Sequence, residues 1–159
     1  MQSMIELADV YVSLHRSEGY GLNMADAMAR RTPVVATAYS GNLDFMDADS
    51  AELVGYDLVA VGKGNGPYDP EAVWADPDLD GAAAAMRRLF DDSTHAAALA
   101  DRAERHVRHH FSPERVGGLT RELLLAAARC REEMIPIHGI RVRIDDAIIA
   151  RSAGARVSR

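Results

Sequence analysis

The chain has 159 residues, 48% of them hydrophobic, which suffices for one globular core and is short for a two-domain enzyme. Eighteen basic against 24 acidic residues give a net charge of −6, which argues against a nucleic-acid partner, because such binding neutralises phosphates with clustered Lys and Arg. A lone cysteine, Cys130, excludes an intrachain disulfide and fits a reducing cytoplasm, and no apolar run approaches the roughly 20 residues that span a bilayer. The first residues lack the basic and apolar regions of a signal peptide.

Met1 to Ala8 reads as the last turn of a helix, and Val10-Tyr11-Val12-Ser13-Leu14 as a buried parallel strand. Next comes a polar turn, Ser17-Glu18-Gly19-Tyr20-Gly21, and then helix formers from Leu22 to Arg30. Strand, glycine-bearing turn and helix in that order leave free N–H groups and the positive end of a helix dipole where Gly19 and Gly21 flank the turn. An anion such as a phosphate fits there. Glu18 and Asp26 bracket the turn with seven residues between them. Carboxylates so placed can accept the hydroxyls of a ribose or a sugar; equally, they can favour the helix start and solvate its outer face. Pro33 ends the helix, Val34-Val35-Ala36-Thr37 reads as a second buried strand, and Tyr39-Ser40-Gly41-Asn42 is a turn cluster before a short helix capped by Asn42.

Ala51–Val54 and Leu58–Val61 are expected strands separated by a turn or bulge at Gly55-Tyr56-Asp57, and Gly62 to Pro67 is a surface loop that lacks the Ser or Thr of a P-loop. Three helices follow, over 82–90 after the acidic start Asp78-Leu79-Asp80, over 95–109, and over 113–133 with Ser112 as cap and Pro113 at the first position. In the last, Val116, Leu119, Thr120, Leu123 and Ala127 make an apolar stripe that needs a partner surface. Residues 139–159 carry five Arg against two Asp without a consistent period and read as a tail with little order.

Aspartate pairs at Asp47/Asp49, Asp76/Asp78 and Asp78/Asp80 have a metal-binding spacing, but each lies where turn or helix-start chemistry explains it. His106 and His110 stand at ligand spacing without the Glu of a zinc-protease motif, and they suit the negative end of a helix. No metal is expected.

Glu18-Gly-Tyr-Gly-Leu, the acidic residue in Ala25-Asp26-Ala27-Met28-Ala29, Thr32-Pro-Val-Val-Ala-Thr37 and Ser40-Gly-Asn-Leu-Asp44 together resemble the donor-binding half of retaining GT-B glycosyltransferases, which carry two glutamates with seven residues between them. The resemblance spans about Ile5 to Leu125, with one departure: Asp26 stands where the second glutamate would be, one methylene shorter. It implies an α/β fold, the second half of a Rossmann-like domain with three or four mostly parallel strands flanked by helices, over residues 1–134, followed by a basic tail over 135–159. In the family the first half of that domain and an acceptor domain precede this region, so the chain resembles an N-terminally truncated member. The implied activity is transfer of a hexose from a nucleotide-diphosphate sugar with retention of configuration. The implied site has Glu18 on the donor sugar, the backbone of Gly19, Tyr20, Gly21 and Leu22 on the diphosphate, Asp26 on ribose or sugar hydroxyls, Arg16 near phosphate, and Ser40, Gly41, Asn42 and Asp44 facing the donor. For Ser40 and Asn42, plain turn chemistry is an equal alternative. No cofactor is implied, the acceptor is open, and a cytoplasmic chain, peripheral to the inner face of a membrane at most, is expected. A non-catalytic nucleotide-binding or interaction module is the rival reading. The strand Val10–Leu14 is expected at an open sheet edge that favours self-association, with Glu18 and Asp26 facing one crevice at the carboxyl ends of the strands.

Overall fold

The computed structural model describes residues 2–129. Its contacts divide the chain into one unit, Met1–Phe111, and a second that begins at Ser112. The first unit runs α1 (Gln2–Glu6), β1 (Tyr11–Ser13), α2 (Leu22–Ala29), β2 (Val34–Thr37), a 3-10 turn (Gly41–Asp44), β3 (Glu52–Val54), β4 (Tyr56–Ala60), β5 (Val73–Pro77), α3 (Leu79–Asp91) and α4 (Ser93–His110). Helix α5 (Pro113–Arg129) belongs to the second.

Strands β1, β2 and β3 form a parallel sheet in that order, with Tyr11 opposite Val34 and Val35 opposite Glu52. The central strand β2, Val34-Val35-Ala36-Thr37, is buried along its whole length, as suits a strand covered on both faces. Its alternate residues serve two cores. Val34 and Ala36 pack with Met24, Ala27 and Met28 of α2 and with Ala103 and Val107 of α4, whereas Val35 packs with Ala82, Ala85 and Leu89 of α3 and with Leu99. Helices therefore cover both faces of the sheet, as expected of a doubly wound α/β fold. Strand β1 is at the edge, as expected, and Val12 is 41% exposed there.

Helix ends follow the sequence signals. The Asp78 carboxylate accepts from the N–H groups of Asp80 and Gly81 at the start of α3, Asp92 accepts from His95 N–H at 2.8 Å on α4, and Ser112 Oγ accepts from Arg115 N–H at 3.1 Å on α5. At the end of α2, Arg31 takes the left-handed conformation (φ 62°) and Thr32 N–H bonds to Ala27 O at 3.0 Å. On α5, Val116, Leu119 and Leu123 are exposed.

One expectation needs correction. The turn foreseen at Gly55-Tyr56-Asp57 is Gly55 alone; Tyr56 and Asp57 open β4, which leaves the parallel sheet and pairs antiparallel with β5, Tyr56 opposite Pro77 and Ala60 opposite Val73. Strand β5 escapes a sequence reading because the loop over 61–72 far exceeds the two to five residues that mark a hairpin. The end of the last expected helix, Cys130 and the basic tail over 135–159 lie outside the described residues. No helix among the described residues is long and apolar enough to cross a membrane.

Candidate functional site

Because β1 and β2 run parallel side by side, the segments that follow them leave from the same edge of the sheet, the edge where open α/β sheets take ligands. There the turn before α2 and the loop before the 3-10 turn interlock. Glu18 N–H donates to Ser40 Oγ at 2.8 Å, and Glu18 O accepts from Ser40 Oγ–H and from Gly41 N–H, both at 3.1 Å. A Cβ on Gly41 would lie 2.2 Å from Gly19 O and 2.9 Å from Tyr20 Cα, so only glycine lets the two backbones meet. Ser40 adopts φ 70°, ψ −145°, a region almost reserved for glycine that costs about 1–3 kcal/mol. The bonds to Glu18 hold it there.

Next to this clamp is a polar network that runs from half-buried His15 to buried Asn42. His15 Nε2 lies 2.9 Å from Tyr39 O and 3.2 Å from Asn42 Oδ1, its Nδ1 lies 3.0 Å from Ser13 Oγ, and Asn42 Nδ2 donates to Thr37 O at 3.1 Å. Asn42 is 0% exposed. Two expectations for it are corrected: it neither caps the short helix, whose N-cap position is Ser40, nor reaches the surface to touch a donor. Its amide is consumed inside the protein, as a buried polar group requires. His15 was overlooked in the sequence reading; the available signal was an imidazole at the end of an apolar strand, two residues before Ser17-Glu18.

Gly21 is the N-cap of α2 at φ 91°, and a Cβ there would come 2.8 Å from Met24 Cε. No side chain caps this helix, in contrast to α3, α4 and α5, and its first turn holds no acid. The positive end of its dipole is thus uncompensated by a carboxylate. Glu18, three residues before this N-cap, is half-buried, and among the described residues its carboxylate makes no ion pair or hydrogen bond. The Tyr20 ring packs against Phe45 at 5.5 Å and Phe111 at 6.0 Å, while Leu22 and Asp44 are exposed.

Arg16 is engaged by the hairpin. Its guanidinium pairs with Asp76 at 2.7 Å and lies 5.1 Å over the Trp74 ring, and its carbonyl accepts from Ala75 N–H at 2.8 Å. Asp26 sits farther along α2, with Arg30 Nε at 3.4 Å, and lines an open groove of about 500 Å³ with Leu22, Asn23, Ala29, Val107 and Arg108. Glu18 is not on that groove. Asp26 lies on the part of α2 that faces the end of α4, whereas Glu18 precedes the turn.

Two further acidic residues, Glu52 and Asp47, have structural partners. At the start of β3, Glu52 accepts from Arg88 at 2.6 Å and pairs with His95 at 2.8 Å; the Arg88 bond, against burial and helped by His95, holds its carboxyl below the usual range. Burial raises the Asp47 carboxyl, but the Ser50 hydroxyl, His106 and the N–H groups of Asp49 and Ser50 outweigh it and leave it lowered. His106 stacks on His110 at 4.6 Å near the end of α4. Among the described residues no group of three or more His, Cys, Asp or Glu could hold a metal ion.

A parallel sheet with helices on both faces and a glycine turn interlocked at its carboxyl edge defines a Rossmann-like α/β domain. Residues 1–118 match the family 4 glycosyltransferases in conflict systems, and the chain belongs to that family. It is a glycosyltransferase domain. No curated protein matches it.

Proposed function

We propose that this chain is the donor-binding part of a GT-B glycosyltransferase that transfers a hexose from a nucleotide-diphosphate sugar with retention of configuration. The observation that carries the reading is the Glu18–Ser40–Gly41 clamp, which fixes the backbone of Glu18 three residues before the uncapped start of α2, its carboxylate having no ion pair or hydrogen bond among the described residues. In this reading the N–H groups of Gly19 to Leu22 take the diphosphate, Glu18 contacts the donor sugar, and Asp26 reaches ribose or sugar hydroxyls from the flank. Ser40, Gly41 and Asp44 border the donor, with Asn42 as buried support. Leaving-group charge is stabilised by fixed dipoles and basic groups rather than by a metal. Arg16 contributes only by exchanging Asp76 for phosphate. The chain acts in the cytoplasm, peripheral to a membrane at most, within a conflict system of the kind its family description names.

A second reading, a nucleotide-binding or interaction module without catalysis, is favoured by the pairing of Arg16 with Asp76 and of Asp26 with Arg30. Calorimetric titration with UDP-, GDP- and ADP-hexoses, joined to a turnover assay with and without an acceptor-binding partner domain, separates the two. The enzyme reading expects binding, negligible transfer by the 159 residues alone, and turnover with the partner domain that Glu18→Gln abolishes. Binding with turnover equal to Glu18→Gln supports a nucleotide-binding module, and no binding defeats the enzyme reading and leaves only the interaction module.

A further inference from the structure

We propose that His15 is a positioning residue for the donor turn: its ring staples the loop over 39–42 in the strained geometry that clamps Glu18. The inference rests on the donor-binding reading above. Tyr39 O can only accept, so Nε2, 2.9 Å away, carries the proton. Asn42 agrees, since its Nδ2 donates to Thr37 O and turns Oδ1 to the same Nε2–H at 3.2 Å. In the neutral ring Nδ1 then accepts from the Ser13 hydroxyl at 3.0 Å, a group that donates as readily as it accepts and so follows the tautomer set by Tyr39 O.

The two acceptors of Nε2–H stand on either side of Ser40 and Gly41 in the chain. One nitrogen therefore pins both flanks of the residue whose φ of 70° must be imposed by its surroundings. Ser40 and Gly41 in turn make the three bonds to the backbone of Glu18. His15 is half-buried and acts through this loop, so its part is to aim the Glu18 carboxylate. Without the ring, Asn42 Oδ1 and Tyr39 O lose their donor, and the strained conformation loses what over-determines it.

The test uses the 159-residue chain with His15→Leu and His15→Gln, whose side-chain amide still offers a donor. Imidazole nitrogen NMR on the unsubstituted chain is expected to show the neutral Nε2–H form; the Nδ1–H form overturns the proposal, even if the Leu variant does not fold. In His15→Leu, protection of the Gly41 amide against hydrogen exchange should fall about tenfold or more, while Val35 and Ala36 keep theirs. Affinity for whichever of UDP, GDP and ADP binds should fall about tenfold, roughly 1.4 kcal/mol, and His15→Gln should recover most of both. Unchanged Gly41 protection, or unchanged affinity in a folded Leu variant, refutes the assignment. If the unsubstituted chain binds no nucleoside diphosphate, the donor-binding reading fails, and the tautomer and exchange readouts still decide the staple.

Discussion

Gly41 and Gly21 differ from the other glycines of the motif region in what replaces them. A methyl at Gly41 meets the Gly19 carbonyl at 2.2 Å, backbone against backbone, so Gly41→Ala should destabilise the chain by about 1–3 kcal/mol, as overpacking does, and remove nucleotide binding. At Gly19 an added Cβ meets nothing within 4 Å, and Gly19→Ala should leave stability within about 0.5 kcal/mol. Urea unfolding of the two variants decides; equal losses would show that the clamp is not where the backbones are tightest. Asp26 belongs to the same scale. Asp26→Glu should keep sugar-nucleotide affinity within about tenfold, and Asp26→Ala should lose more, because a desolvated hydroxyl would lack its charged acceptor. Identical affinities for Asp26→Ala and the unsubstituted chain in calorimetry reduce Asp26 to the ion partner of Arg30. The glycines, Glu18 and Ser40 were legible in the sequence because turn chemistry is local. The network of His15 with Asn42 was not, since its bonds join residues 24 to 27 positions apart.

Among the elements, β2, α2, α3 and α4 were readable because composition and period agreed with tertiary burial. The hairpin of β4 and β5 was not, since its pairing is defined by partners rather than by pattern, and Leu58 and Val73 remain exposed on it. At the opposite, amino edge of the sheet, Glu52 ties β3 to α3 through Arg88 and to α4 through His95. Its carboxyl is lowered from 4.5 in the fold, so its stabilisation is complete above that ordinary value and is lost as pH falls through the lower folded one. Glu52→Gln should cost about 1–2 kcal/mol at pH 7 and flatten the acid limb of the stability curve. Thermal unfolding at pH 7 and in stepped acid checks this, and parallel curves for the two proteins would show that Glu52 contributes nothing through its charge.

At the scale of the molecule, the exposed edge of β1 sets the association behaviour. Among the described residues β1 has β2 as its one sheet neighbour and Val12 is exposed, so the chain should self-associate at high micromolar concentration, with Val12→Lys shifting it toward monomer. A clean monomer in sedimentation would remove β1 as an interface. The sequence carried the family and the parallel strands; that Asp26 lines a groove with Val107 and Arg108 depended on how α2 turns against α4, a property of packing that no spacing encodes. The Glu18 clamp also has a kinetic meaning. Its bonds to Ser40, and those of His15 to Tyr39 and Asn42, span 22 to 27 residues, the same interval of chain that closes when β1 meets β2. The site and the first parallel strand pair are thus one loop closure, entropically counted once. During refolding, the capacity to bind nucleotide should return in the same phase as the β1–β2 pairing, with no later maturation step of its own.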